Sequence, residues 1–290
     1  MAPQGDVTPP DGYGFGITPG KSFYQVLTDA ITDVARNGYD SLERIAFWVE
    51  QIKAAADRTL TPPHILEREL NAALGSIYRA KVERGGILTM HPGVARFTLE
   101  NVAPRLRAEL DRRIMASAGL IKLNRERAVA DTIQRFSGWA TSIPAGGSDA
   151  VDKRQEKDSI RKPLASLPFR ERRVAVDQGH KFNAGLNNIL ATDAGAIALI
   201  WHSHWRQRNY DYREDHKERD GLFYLLRESW AKDRGYVKVG AAGYYDDVTA
   251  VGEEVNCRCY AQYVYSLRSM PAEMLTERGR VELAKVRIAA

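Results

Sequence analysis

The chain carries only two cysteines, and they stand two positions apart, at Cys257 and Cys259. Side chains at i and i+2 do not readily reach disulfide geometry, so no disulfide framework is encoded and a reducing compartment fits best. Long apolar runs are also missing. The longest, Ala194–Trp201, falls well short of the ~20 residues that cross a bilayer. Residues 1–20 have no basic segment and no apolar stretch behind one, so no secretory signal is expected in them. The expectation is a soluble protein made in the cytosol. A strong excess of one charge sign is absent too. The net charge of +5 on 290 residues is compatible with nucleic acid nearby, but lies far below the density of a dedicated DNA binder.

What is present supports a packed core. Hydrophobic residues make up 44% of the chain and charged residues 27%, so disorder is not the default. The length fits one large domain or two ordinary ones, and no internal repeat is visible.

Residues 1–20 are rich in Pro and Gly and read as an extended arm. Gly20-Lys21-Ser22 invites comparison with a phosphate-binding loop. The position five residues before Gly20 is Phe15, not Gly, and no apolar strand precedes it, so the segment reads as a loop ending in a helix cap.

From Ser22 to about Trp139 the periodicity is helical. Tyr24, Leu27, Ile31 and Val34 form one stripe, and Leu42, Ile45, Trp48, Val49 and Ile52 a second. Leu66, Leu70, Leu74, Ile77 and Tyr78 form a third. Asp40 or Ser41 would cap the second helix, and Thr61 the third, with Pro62 at its first position. Gly85-Gly86 and His91-Pro92-Gly93 break the run. A fourth helix follows on Val102, Leu106, Leu110 and Ile114, and a fifth on Val129, Ile133 and Phe136. Arg105, Arg107, Arg112, Arg113, Lys122, Arg125 and Arg127 give these two helices basic faces. They are either a solvated surface or a contact for DNA or an acidic partner.

Residues 142–162 read as a linker, with Pro144-Ala145-Gly146-Gly147-Ser148 followed by a nearly apolar-free stretch. After it the character changes. Arg170 to Leu190 reads as a long helix, Ala196–Trp201 as a buried strand, Cys259–Tyr265 as an aromatic, β-branched strand, and Thr276–Arg287 as a closing helix. Leu222–Leu226 and Tyr236–Val239 are short apolar runs of either type. The expected fold is α+β: an arm at 1–20, a helical domain at 21–141, a linker at 142–162 and a compact α+β domain with a small sheet at 163–290.

Three constellations bear on chemistry. His202 and His204 alternate on a strand, Cys257 and Cys259 do the same, and His216 lies between them. His204, His216, Cys257 and Cys259 would be the ligands if a metal were held. Yet C-x-C is tighter than the usual zinc knuckle, so no cofactor is expected, with zinc as the alternative. A thiol nucleophile, Cys257 with His216 and Asp215 or with His204, is chemically conceivable. So is a metal-dependent nuclease on Asp211, Asp215, Asp220, Asp246, Asp247 and His216, although alternating charge of this kind is mostly solvated surface.

One arrangement is more specific. Trp201 closes a strand, Arg213, His216 and Gly221 stand in the pattern R-x-x-H-x-x-x-x-G, and Asn256-Cys257-Arg258-Cys259 leads into a final strand. Over about residues 170–270 the chain resembles the phage Mu F-like minor head proteins, also called the phage head-morphogenesis family. Arg172-Arg173 to Asn183 resemble that domain's opening polar helix. The path from Trp201 to Arg213 is longer here than is usual in the family, and the C-x-x-C pair that some members carry before the His is absent.

The resemblance implies a minor structural or assembly protein of a tailed-phage head. Such a protein binds and does not catalyse. It would lie near the portal vertex in several copies, in contact with portal, major capsid protein or packaged double-stranded DNA. It would be found in the virion, and in the host cytoplasm during assembly, with no membrane partner. Trp201, Arg213, His216, Gly221, Asn256, Cys257, Arg258 and Cys259 would form its structural motif, with Arg258 turned to the opposite face to pair with Asp215, Asp220 or a partner. The alternatives are a metal-dependent nuclease or hydrolase acting in packaging or infection, and an inactive fold similar to an ADP-ribosyltransferase. The latter has Glu253-Glu254 as its only candidate acidic pair near the motif.

Overall fold

The computed structural model describes residues 21–60, 62–83 and 96–288. The expected arm, the Thr61 cap and the breaks at 85–93 lie outside them. The described residues are mostly helical with one small antiparallel sheet, an α+β fold with a helical N-terminal region. They form two compact units. One takes the residues through Glu67 together with Ala118–Arg173; the other takes Arg68–Ser117 and Val174–Ala290.

In the first unit, α1 (Phe23–Asn37) starts where Ser22 accepts the Gln25 N–H and the Gln25 side chain accepts the Ser22 N–H, two otherwise orphaned donors satisfied together. Ser41 caps α2 (Leu42–Thr59) by accepting the Arg44 N–H. Leu27, Ile31 and Val34 are buried as their spacing requires, but Tyr24 is 46% exposed and Phe23 and Val26 complete the stripe instead. Tyr24 lies under the Arg161 guanidinium. Trp48, Ile52, Val129, Phe136 and Ile160 fill the rest of this core.

A buried ionic knot ties α1 to α2. The Arg44 guanidinium donates to both Asp33 oxygens at 2.7 and 2.8 Å, and the Trp48 indole N–H donates to Asp33 at 2.6 Å. Burial works against the Arg44 charge, but the Asp40 and Asp33 carboxylates outweigh it and hold its pKa above the usual arginine value.

Two expectations change here. The fourth and fifth helices are one, α4 (Arg96–Ala140). The residues between the two apolar stripes contain no proline, and their one glycine, Gly119, does not break the helix on its own. The segment expected as a linker is structured. Asp152 accepts the Arg154 and Gln155 N–H groups and starts α5 (Lys153–Ala165), which buries Ile160. Its Pro-Gly portion lies on the C-terminal end of α1: Gly146 N–H donates to Asn37 O, Ser148 N–H to Ala35 O, and Tyr39 N–H to Ile143 O. The first two bonds occupy carbonyls that the end of α1 leaves open.

The second unit contains α3 from Arg68 onward (α3, Pro63–Tyr78, is followed by a π-helical turn, Arg79–Glu83). It also contains α4 to Ser117 and α6 (Leu167–Asp193) from Val174. Leu74, Leu106, Leu110, Phe182 and Leu186 pack these together. The sheet has order β2-β1-β3, with β1 (Ala198–His202) central and antiparallel to both β2 (Phe223–Leu225) and β3 (Tyr260–Val264). Leu199 faces Tyr224 on one side and Tyr263 on the other.

Strand alternation divides the core. Leu199, Trp201 and Tyr224 join Cys257 and Cys259 on one face, while Ala198, Leu225 and Val264 join Met270 and Met274 on the other. Short helices α7 (Glu214–Glu218) and α8 (Trp230–Asp233) lie in the connections, and α9 (Glu277–Ile288) closes the chain. The run Tyr236–Val239 makes only an isolated bridge, Val237 to Leu275.

Candidate functional site

The two halves of the sequence motif meet at the end of β1. Trp201 N–H donates to Leu222 O, and Gly221 N–H returns to Trp201 O at 2.8 Å. Gly221 makes this turn at φ +81°, a left-handed conformation that costs a residue with a Cβ about 1–2 kcal/mol. α7 is thereby held over β1, and its one buried side chain is His216.

Cys257 and Cys259 sit on the same side of the extended segment leading into β3. Both are buried, and Arg258 between them is exposed. Both sulfurs face one nitrogen: His216 Nδ1 is 3.6 Å from Cys257 Sγ and 3.5 Å from Cys259 Sγ. The other ring nitrogen, Nε2, faces Glu254 Oε1 at 3.3 Å and Asp215 Oδ2 at 3.9 Å. Neither contact is aligned as a full hydrogen bond. The edge of the imidazole meets the Trp201 ring at 5.4 Å between centroids.

The turn before the cysteines is fixed from several sides. Arg213 pairs with Glu254 Oε2 at 2.7 Å and donates to Val255 O at 3.0 Å. Asn256 adopts φ +58°, and its N–H donates to Asp177 Oδ1 of α6 at 2.6 Å. Arg258 N–H donates to the Tyr210 hydroxyl, whose ring carries the Arg258 guanidinium at 5.5 Å. Arg213, Asn256 and Arg258 therefore hold the turn, and Glu254, Asp177 and Tyr210 are its counterparts.

The sulfurs are not equivalent. The neighbouring Cys259 side chain lowers the Cys257 pKa, burial opposes this, and the Cys259 and Gly252 backbone N–H groups add to the lowering. Cys259 is raised, first by its Cys257 neighbour and then by burial. Trp201 Nε1 and Ser203 Oγ lie beside the Cys259 sulfur, both buried and with no aligned partner.

Other candidate residues fall elsewhere. His204 is not in this group; its ring lies 5.7 Å from Tyr260, on which His202 stacks at 4.8 Å. Asp215 pairs with Arg219, and Asp220 accepts the Ser203 backbone N–H and the Trp205 indole N–H. The pairings considered for Arg258 are thus not formed: its guanidinium lies on Tyr210. Asp246 and Asp247 both pair with Arg227, and Glu253 pairs with Arg113. Of the carboxylates in the nuclease reading, Asp246 and Asp247 share Arg227, Asp220 is taken up by N–H donors, and Asp215 alone lies in a candidate metal group; among the described residues those groups are His216 with Cys257 and Cys259, and Asp215 with His216 and Glu254.

The basic helix faces are largely neutralised within their own units. Arg105 pairs with Asp193, Arg107 with Asp111, Arg112 and Arg113 with Glu109, Lys122 with Glu126, and Arg125 with Glu171. No helix among the described residues is long and apolar enough to cross a membrane. No family model, no curated protein and no solved structure matches the chain.

Proposed function

We propose that the chain is a minor structural or assembly protein of a tailed-phage head, acting by binding near the portal vertex. The observation that carries this reading is the convergence of both halves of the resemblance. Arg213, His216 and Gly221 close on Asn256, Cys257 and Cys259 in one buried knot beneath Trp201. A motif whose members hold one another is what a rigid binding module needs. The same two-residue period that buries the sulfurs turns Arg258 and Tyr260 outward beside the exposed Val255, so this edge is the surface through which the knot would meet a partner.

A protein partner, portal or major capsid, fits better than DNA. Most of the basic helix residues already have acidic partners, and an exposed pair that is satisfied internally has little charge to offer phosphates. The reading places the protein in the virion, in several copies.

The test is head assembly with the Arg258→Glu/Tyr260→Ala variant. The expected result is a folded chain, with a melting temperature lowered only by the loss of the Arg258–Tyr210 and Tyr260–His202 ring contacts, that is absent from purified heads, with fewer filled particles. Normal incorporation and filling with this variant would overturn the docking edge. A wild-type chain missing from purified heads, with heads forming normally without it, would overturn the function itself.

A further inference from the structure

We propose that His216, Cys257 and Cys259 form a Cys2His site for a soft divalent metal, zinc by its chemistry. This does not depend on the phage-head reading. Zinc bonds sulfur at about 2.3 Å and imidazole nitrogen at about 2.0–2.1 Å. In a tetrahedron these lengths put sulfur and nitrogen about 3.6 Å apart. The two observed separations are 3.5 and 3.6 Å.

An S–H···N hydrogen bond has a similar length, but an imidazole Nδ1 has one lone pair and can accept well from only one thiol. Two buried sulfurs nearly equidistant from that nitrogen fit a common point between all three atoms, which lie within 4.8 Å of one another.

The surroundings suit the ion. Glu254, anchored by Arg213, faces Nε2 and favours the tautomer with its proton there, leaving the Nδ1 lone pair toward the sulfurs; metal-bound histidines are commonly oriented in this way. The buried, unpartnered Trp201 N–H and Ser203 hydroxyl lie beside Cys259, where a metal-bound thiolate would accept from them. Two thiolates, a neutral imidazole and Zn²⁺ sum to zero charge, so the centre carries no net charge into the core.

Three protein ligands leave one tetrahedral position open, as in zinc sites that keep a water or an added ligand. Both cysteines line a cavity of about 250 Å³ whose wall includes His180, Asn183 and Asn187. Loading releases a proton from each thiol that was protonated, so affinity rises with pH.

The experiment is a titration of the reduced, chelator-treated full chain with Zn²⁺ and, separately, Co²⁺. One equivalent of either metal should bind, with the thiolate-to-cobalt charge-transfer band and the intense visible absorption of a tetrahedral site. Cys257→Ser and Cys259→Ser should each lose the band, while His204→Ala should keep it. If the serine variants do not fold, the wild-type melting temperature decides, and zinc should raise it above that of the chelated protein. No bound equivalent, no thiolate band with Co²⁺, or a melt that zinc leaves unmoved would overturn the site.

Discussion

Replacing Gly38 by alanine separates two costs that the structure places at one residue. Gly38 has φ +76° and ψ −170°, a region essentially reserved for glycine, and occupying it with a Cβ costs about 1–3 kcal/mol. The Cβ would also stand 1.7 Å from the Pro144 carbonyl oxygen, which is backbone and cannot rotate away. Relief requires the 143–148 segment to lift off α1. That movement endangers three hydrogen bonds: Tyr39 N–H to Ile143, Gly146 N–H to Asn37 and Ser148 N–H to Ala35. At about 1 kcal/mol each, the total loss is about 4–6 kcal/mol. Gly146 is the control. It also has positive φ, at +88°, but a Cβ there meets nothing within 4 Å, so Gly146→Ala should cost only about 1–2 kcal/mol. Urea denaturation followed by circular dichroism gives both values, and hydrogen exchange at Gly146 and Ser148 should accelerate in the Gly38 variant. Equal losses for the two alanines, with unchanged exchange, would mean that the segment is the free linker its composition suggests.

Asp33→Ala should cost about 3–5 kcal/mol, because it strips one carboxylate from a buried arginine and orphans the Trp48 indole N–H. Asp33→Leu combined with Arg44→Met should cost less than half of that in the same unfolding assay, since neither buried charge remains. Arg213→Gln should cost about 1 kcal/mol, as the ion pair is partly exposed; hydrogen exchange at Asn256–Cys259 should rise before global stability changes. Burial pushes the Tyr245 hydroxyl up to about 12 from 10.0, with the Val251 N–H bond pulling the other way. The folded state therefore holds this proton more tightly than the unfolded chain. Its contribution to stability is complete below pH 10 and lost as pH rises toward 12, which an alkaline series of melts checks against Tyr245→Phe.

The elements legible in the sequence were those whose evidence is local. Ser41 caps α2 because a side-chain oxygen three residues from a free N–H needs nothing else. Strand β1 follows from a short continuous apolar run, and the inward Cys257 and Cys259 from their two-residue spacing. Long-range partners were not legible. Arg213 meets Glu254 across 41 positions and Asn256 meets Asp177 across 79, and no periodicity links residues so far apart. Helix α5 was hidden for a related reason. Its sequence is charged, and it joins the core chiefly through Ile160 and Leu164, too few apolar positions to announce a stripe. The joined α4 shows the opposite error: two separate apolar stripes suggested two helices, although one continuous helix carries both, even with Pro104 inside it.

The same separation explains why R-x-x-H-x-x-x-x-G and N-C-R-C carry meaning together and little apart. His216 alone is a buried imidazole, and Cys257 and Cys259 alone are small buried side chains. Joined, they place two sulfurs at one nitrogen while Arg213, from the first half, fixes the turn that presents the second. Substitution in either half should thus fail in the same way. His216→Ala should release the 254–259 turn as Cys257→Ala does, and the double variant should lose little more than the worse single one, because the second change removes a contact that the first has already broken. Additive losses in a double-mutant cycle would mean that the two halves are independent, and the knot would then not be the unit on which the binding edge at Arg258 and Tyr260 depends.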